Sequence, residues 1–372
     1  MNSSSQRILT ALSGGVDSSV ASYLLKQKGY QVEAVYVRTW ENENDVLGDC
    51  PGTKDLADAR EVAKFLEIPF HVVNFIDFYH QEIVLPMIQG YADGITPNPD
   101  ILCNRKMKFG ALMKYAKDHD FEGLATGHYC RKILGKDGQS QLFEGIDKNK
   151  DQSYFLAQIS QEQLNYSLFP LGEMHKKDVR ILADKIRLPV ARKKDSQGIC
   201  FLGKVKIPQF LSNFIDDLPG EIVTTLGKIV GKHQGLHRYT LGQRKGIGVP
   251  SNKDFENFVV TGKNKKTNQL VVAFEDPKEP TLWGSNYGIE SVSFFTDDFP
   301  TEKIALLGKA RYRDPSTPII FQPLEDQKAE ILFISPQRAL TPGQILAIYD
   351  GERLIGSGIY SHSELGRAML SA

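Results

Sequence analysis

The residues with the plainest chemical purpose are Ser13, Gly14, Gly15, Val16, Asp17, Ser18 and Ser19. Adjacent glycines let the backbone turn tightly and bring its N–H groups close to a ligand, and the serines add hydroxyl donors. The apolar run at 8–12 reads as a buried strand, and 20–25 reads as a helix that ends by Gly29. A strand, a glycine turn and a helix start together form an anion cradle, because the first helical N–H groups lack intrahelical acceptors and carry the positive end of the dipole. Asp17 fits such a place if a cation such as Mg²⁺ stands between it and phosphates. No lysine follows the glycines, so this is neither G-x-x-x-x-G-K-[ST] nor G-x-G-x-x-G, and a different nucleotide chemistry is implied.

Two cysteines sit in unusual local chemistry. Cys103 follows Thr96-Pro97-Asn98-Pro99-Asp100, which reads as a rigid exposed loop, and has Arg105, Lys106 and Lys108 beside it. Cys200 stands in the turn Ser196-Gln197-Gly198-Ile199-Cys200, just after Arg192, Lys193 and Lys194. Positive neighbours lower a thiol's pKa and raise its thiolate fraction. A lone cysteine is commonly a buried structural residue, but polar, turn-like surroundings weigh toward reactivity here. Asp100 is the nearest carboxylate able to move a proton for Cys103 or for a substrate. His128, after a strand end, reads either as a local hydrogen-bonding residue or as a functional one. Only four cysteines are present and none forms C-x-x-C, which argues against a disulfide scaffold and against an ordinary zinc site. Cys50, at the edge of an acidic stretch at 41–49, reads as incidental.

The elements that must position these groups follow from periodicity. Apolar runs at 8–12, 32–37, 70–74 and 123–126 alternate with helical patterns at 20–25, 55–66, 81–89 and 106–117, which predicts an α/β fold with a doubly wound parallel sheet. Ligands in such sheets sit outside the carboxyl ends of the strands, which brings Val37 toward a bound adenine. A hairpin is expected over 131–143 and an amphipathic helix over 176–186. We expect three domains: 1–207 catalytic, 208–280 a small β-rich linking domain punctuated by glycines, and 281–372 a compact antiparallel β-barrel. With 45 Lys+Arg against 45 Asp+Glu the net charge is zero, so any nucleic-acid binding must rest on local patches such as Lys106 with Lys108, Arg192 to Lys194, and Arg244 with Lys245. No stretch approaches the ~20 apolar residues that span a bilayer, and a cytoplasmic protein with no membrane partner is expected.

The serine–glycine loop resembles the pyrophosphatase loop of the ATP-pyrophosphatase superfamily, the adenine-nucleotide alpha-hydrolase-like proteins that cut ATP between its α and β phosphates. Five further motifs follow in order: Thr96-Pro97-Asn98-Pro99-Asp100-Ile101-Leu102-Cys103-Asn104, Ala125-Thr126-Gly127-His128-Tyr129, Lys150-Asp151-Gln152-Ser153-Tyr154-Phe155, Gly198-Ile199-Cys200-Phe201 and Leu241-Gly242-Gln243-Arg244-Lys245-Gly246. Together they resemble the bacterial tRNA-specific 2-thiouridylases over nearly the whole chain, more weakly in the barrel, where Arg311-Tyr312 and Thr341-Pro342-Gly343-Gln344 are the recognisable pieces.

The resemblance implies an enzyme that binds ATP and Mg²⁺, adenylates the C2 oxygen of a tRNA wobble uridine, and replaces that oxygen with sulfur carried as a persulfide from a donor protein. It places Ala11, Leu12, Ser13, Gly14, Gly15, Val16, Asp17 and Ser18 at ATP, with Val37 and Gly127 at the adenosine and Asp17 as the metal ligand. Asn98, Pro99 and Asp100 would meet the target base. Cys103 would be the nucleophile and Cys200 the persulfide carrier. His128, Lys150, Asp151, Gln152, Arg311, Tyr312 and Gln344 would be tRNA contacts. Two rivals are another ATP pyrophosphatase acting on a small molecule, for which no glutaminase signature is present, and a non-catalytic RNA-binding protein, which has no need of an intact loop and both cysteines.

Overall fold

The computed structural model describes residues 6–40, 51–195, 207–249, 257–276, 279, 281–295 and 299–361. The first sheet is built from β1 (Arg7–Ala11), β2 (Gln31–Arg38), β3 (Phe70–Asn74), β4 (Gly123–Ala125) and β7 (Ser167–Leu168). Every pairing in it is parallel and the order is β3-β2-β1-β4-β7. Parallel strands need covered faces, and the alternating side chains supply them. On one face Leu9, Val35 and Leu124 meet Phe109 and Leu112; on the other Leu12, Ala34 and Tyr36 meet Val16, Val20, Ala59 and Val62. The chain runs outward from β1 through β2 to β3 and then resumes on the opposite side at β4, so the order reverses between β1 and β4. The crevice outside their carboxyl ends is the natural ligand site. The short β7 is a strand beyond the four read from periodicity.

The hairpin of β5 (Cys130–Leu134) and β6 (Ser140–Glu144) forms where it was expected but joins a different sheet. Strand β6 pairs with β17 (Arg353–Tyr360), through Phe143 with Arg353 and Leu142 with Leu354. A middle sheet of order β10-β11-β8-β9 comprises β8 (Gly220–Thr224), β9 (Ile229–His233), β10 (Phe258–Asn264) and β11 (Gln269–Phe274), packed around Ile222, Val260, Leu270 and Val272. The C-terminal strands β12 (Trp283–Phe294), β13 (Ile304–Lys309), β14 (Thr317–Pro323), β15 (Ala329–Arg338), β16 (Ile345–Asp350) and β17 follow the order β12-β15-β14-β13-β16-β17, and β12 pairs again with β17 to close an antiparallel barrel. Closure removes the free edges of the sheet.

The barrel and the α/β layer share a core. Ile345, Ala347, Tyr349 and Leu354 pack in one cluster with Leu142, Tyr154, Phe109 and Leu124. Across this seam the buried Lys309 ammonium meets Glu144 at 2.5 Å and Asp151 at 3.1 Å, and Tyr154 Oη donates to the carbonyl of Ile345 at 2.9 Å. Among the described residues no helix is long and apolar enough to cross a membrane.

Candidate active site

Strand β1 ends at Ala11, and the N–H of Leu12 still reaches the carbonyl of Val35 on β2. The loop then turns at Gly14, where φ is +72°, and a Cβ there would stand 2.3 Å from the carbonyl oxygen of Asp55. Helix α1 (Val16–Gln27) begins after Gly15, which has no side chain to cap it, so the first helical N–H groups receive no capping side chain. The hydroxyls of Ser13 and Ser18 lie 3.1 Å apart, and Ser18 Oγ also accepts from the N–H of Ser13. Ser18 Oγ and the fully buried Ser19 Oγ both reach the carbonyl of Gly15, at 3.2 and 2.7 Å, and Ser13 is the exposed hydroxyl of the loop. Gly127, just past β4, closes the other wall. A Cβ on it would lie 2.8 Å from the backbone nitrogen of Ser18. The two loops expected at the nucleotide therefore meet at the reversal point.

The charge balance at Asp17 differs from the expectation of a metal alone. Lys176, at the start of the helix Lys176–Lys185, brings its ammonium to 2.6 and 2.8 Å from the two Asp17 oxygens, and Tyr129 Oη donates to the same carboxylate at 2.8 Å. Lys176 also pairs with Asp195 at 2.9 Å, and Asp195 in turn holds Lys150 at 3.0 Å and Arg180. Although partial burial raises the Asp195 carboxyl pKa, hydrogen bonds and charge from Lys176 and Lys150 hold it well below the usual carboxylate range. Lys193 donates to the carbonyl of Gly14 at 3.0 Å and to Asp55 at 2.7 Å, and also pairs with Asp58. Its ammonium is thus committed to the loop and to two carboxylates of the helix Pro51–Phe65.

The segment before Cys103 is not an exposed loop. Asn98 Oδ1 accepts from the N–H of Ile101 at 3.3 Å and Pro99 takes the first helical position, so Asn98 and Pro99 start a helix rather than extend a loop. The helix continues through a π-turn at Cys103–Ala111 to Asp118. Cys103 is only 2% exposed and packs with Tyr79, Ile83, Met87 and Phe210. Of its basic neighbours, Lys106 is paired with Glu82 at 2.5 Å. Asp100 is half-buried; burial raises its carboxyl pKa, and the charge of Lys108 draws it back. His128, 8% exposed, accepts or donates at Nδ1 with Thr126 Oγ1 at 2.7 Å and lies against Phe109 and Phe169. Burial first, and then the Lys108 charge, push its pKa well below 6.5, so the ring is neutral at pH 7. Lys108 thus acts on both Asp100 and His128. Cys200, Cys50 and the acidic stretch at 41–49 lie outside the described residues.

The residues expected at tRNA divide into two groups. Lys150 is half-buried at the rim on Asp195, and the Tyr312 ring lies tilted by 44° against Phe155 with centroids 4.2 Å apart. Asp151, by contrast, is buried at 6% exposure, with Oδ1 accepting from the N–H groups of Gly145 and Ser153 and Oδ2 from Ser153 Oγ and Lys309. Both carboxylate oxygens are thus taken up within the protein. Gln152 exchanges two hydrogen bonds with the Tyr129 backbone and so steadies the residue that reaches Asp17. Arg311 holds the carbonyls of Arg338 and Ala339 at 2.5 Å. Gln344 Nε2 donates to the carbonyl of Thr96 at 2.6 Å, docking the barrel onto the chain just before Asn98. Val37, one residue before the end of β2, packs against the core that holds Cys103.

What the sequence reading missed is Lys176, Lys193 as a partner of the Gly14 turn, Tyr129 as a partner of Asp17, and Lys309. Lys176 carried one signal, its place at the N-terminus of an amphipathic helix, and nothing in that pattern points to a loop at residue 17.

A profile of the family described as tRNA methyl transferase HUP domain matches residues 6–204, one described as tRNA methyl transferase PRC-barrel domain matches 208–274, and one described as aminomethyltransferase beta-barrel domain matches 286–360. The chain is 44% identical over 358 residues to the tRNA-specific 2-thiouridylase MnmA of Akkermansia muciniphila, covering 96% of this chain and 99% of the relative. It is 42% identical to the protein of the same name from Ligilactobacillus salivarius, over 96% of each chain. It is also 42% identical to that from Proteus mirabilis, over 96% of this chain and 98% of the relative. Full-length identity at this level, with the loop and helix motifs standing where the fold gathers them, means that the chain belongs to the family of tRNA-specific 2-thiouridylases.

Proposed function

We propose that the chain uses ATP to convert a tRNA uridine, the wobble uridine of the anticodon, to 2-thiouridine, releasing AMP and pyrophosphate. The observation that carries this is the cradle of Ser13 to Ser18 closed by Gly127 at the reversal point of the sheet, with Lys176 and Lys193 brought to it from a distance. The uridine C2 oxygen attacks the α phosphorus and pyrophosphate leaves. A sulfur nucleophile then adds at C2, and AMP departs with the oxygen. Oxide or hydroxide is a poor leaving group, whereas AMP leaves readily, so activation precedes sulfur attack.

The loop N–H groups with Ser13 and Ser18 hold the phosphates, Lys176 balances the charge that develops on pyrophosphate, and Val37 and Gly127 border the adenosine. Mg²⁺ supplies further charge neutralisation when bound with the phosphates. Among the described residues no group of three or more His, Cys, Asp or Glu side chains could hold a metal by itself, so Asp17 fits as a single protein oxygen that Lys176 must share. Asn98, Pro99 and Asp100 border the base, and Asp100 takes the thiol proton of Cys103. Lys150, Arg311 and Tyr312 meet the tRNA.

Cys200 receives sulfur from a donor protein as a persulfide. The Cys103 thiolate attacks Cys200 Sγ, the terminal sulfur leaves as hydrosulfide and adds at C2, and a dithiol supplies two electrons to reopen the resulting disulfide. A cytoplasmic location follows from the substrates. The label of methyl transfer carried by the matching profiles finds no use for a pyrophosphate cradle.

The test is to incubate unmodified tRNA, MgATP and a persulfide donor with the protein and to analyse digested tRNA by mass. We expect 2-thiouridine, with AMP and pyrophosphate in equal amounts. ADP as the main product, or methylated nucleoside in place of thiouridine, would refute the proposal. Full thiolation by Cys200→Ser would overturn the persulfide assignment alone.

A further inference from the structure

We infer that Asp147 is a positioning residue for nucleotide binding: its carboxylate seats the start of the helix Lys176–Lys185 so that the Lys176 ammonium stands at Asp17 and the phosphates. The inference rests on the proposed role of the Ser13 to Ser18 loop as the ATP site.

The residue before this helix, His175, supplies no side-chain cap. The acceptor comes from a distant loop instead. Asp147 Oδ2 accepts from the backbone N–H of Lys176 at 2.9 Å, with His175 Nδ1 3.9 Å away. Asp147 is buried, and its Oδ1 accepts from the N–H of Asn149 at 3.2 Å, so both oxygens are oriented. A carboxylate at the first N–H groups of a helix is favoured by its charge and by the helix dipole. The backbone held by this bond carries the ammonium that lies 2.6 and 2.8 Å from the two Asp17 oxygens.

The same loop delivers the other partner of Asp17. Gln152 Oε1 accepts from the N–H of Tyr129 at 3.1 Å, the Gln152 N–H donates to the Tyr129 carbonyl at 2.9 Å, and Tyr129 Oη donates to Asp17 at 2.8 Å. The loop is closed on itself by the N–H of Gly145, which donates to Asp151 Oδ1 at 3.0 Å, and is tied to Gly172 by the N–H of Ile146 at 3.1 Å. Two anchors on one loop thus fix two side chains on one carboxylate. A lysine has a long, flexible stem, so its ammonium stays at Asp17 only while its backbone is held there.

Charge alone predicts the opposite effect of Asp147. Burial first, and then the charges of Asp17, Asp195 and Asp147, push the Tyr129 hydroxyl pKa up, so the Asp147 field reaches the loop. Acting only through that field, Asp147 would repel phosphates and its removal would tighten binding. Acting as the seat of Lys176, its removal loosens the cation and weakens binding.

The test is calorimetry of the Mg²⁺ complex of an α,β-methylene ATP analogue on the full chain, arranged as a double-mutant cycle. Lys176→Met removes a charge-assisted contact and should weaken the analogue about 10- to 100-fold. Asp147→Ala should weaken it about fivefold, the scale of one hydrogen bond. On top of Lys176→Met, Asp147→Ala should change the affinity less than about twofold, because the group it positions is gone. Asp147→Asn keeps an oxygen for the Lys176 N–H and should bind within about twofold of wild type. Melting curves check that each variant folds, and Asp147→Ser, too short to make the same bond, takes the place of Asp147→Ala if that protein does not. Unchanged or tighter binding on removal of the Asp147 carboxylate, an equal loss with and without Lys176, or a loss in Asp147→Asn as large as in Asp147→Ala overturns the inference and leaves the proposed function standing. Absence of analogue binding to the wild type overturns the reading of the loop and the inference with it.

Discussion

Asp151 separates two accounts of the Lys150-Asp151-Gln152 run. If the run meets tRNA along its length, Asp151→Ala should weaken RNA binding and leave stability alone. The structure predicts the reverse. The carboxylate is 6% exposed, takes two backbone N–H groups at 3.0 and 3.1 Å, and lies 3.1 Å from the buried Lys309. Breaking a buried ion pair costs about 3–5 kcal/mol, part of it from the N–H groups left without acceptors. Lys309 keeps Glu144 at 2.5 Å, which holds the loss within that range instead of adding a stranded cation to it.

For a folding unit of 150–250 residues each kcal/mol shifts the melting point by ~2–4 °C, so Asp151→Ala should melt roughly 6–20 °C lower. Asp151→Asn keeps an oxygen for the N–H groups but turns an NH₂ toward an ammonium, and should lose about 1–3 kcal/mol. The assay is thermal unfolding by near-UV circular dichroism, paired with tRNA binding measured well below either transition. An Asp151→Ala protein that melts within a degree of wild type yet binds tRNA tenfold more weakly would refute the reasoning.

Three further outcomes are expected. Gly127→Ala puts a Cβ 2.8 Å from a backbone nitrogen, which no rotamer relieves, so it should cost about 1–3 kcal/mol and weaken nucleotide binding measured by calorimetry; unchanged affinity would remove Gly127 from the cradle. His128 has its folded pKa depressed by burial, so it contributes stability that is present above its unfolded value of ~6.5 and is lost as pH falls through the folded value. Urea unfolding of His128→Asn should therefore lose part of the wild type's decline below pH 6.5, and identical pH profiles would contradict this. The shared cluster of Tyr349 and Leu354 with Leu142 and Tyr154 predicts that removing residues from 281 onward lowers tRNA and ATP affinity together with loss of the native fold, and an intact, nucleotide-binding truncation would show that the α/β layer folds alone.

How much of this was legible depended on whether a feature is local in the chain. The parallel sheet was, because each strand is a short apolar run and each helix carries its own face. The cradle was, because a turn before a helix is written in consecutive residues. The hairpin at 131–143 was also local, but its partner was not, since pairing with Arg353 and Leu354 depends on where the chain returns more than two hundred residues later. The segment before Cys103 misled for a different reason. Two prolines around Asn98 look like a break in structure, yet Asn as cap and Pro at the first position are also how a helix starts, and tertiary burial of Ile101 and Cys103 decides between them.

The electrostatics were the least legible part, because a basic run shows how many charges are near in sequence and nothing about where they go. Arg192, Lys193 and Lys194 read as a field for Cys200, whereas Lys193 spends its charge on Asp55, Asp58 and the Gly14 carbonyl. The lysine missing after the glycines is supplied by Lys176 from another helix, and that lysine arrives already shared between Asp17 and Asp195. A loop that carries its own lysine needs no such sharing. One that borrows it ties its own occupancy to whatever else the lysine holds, and here that is Asp195 with its further partners Lys150 and Arg180.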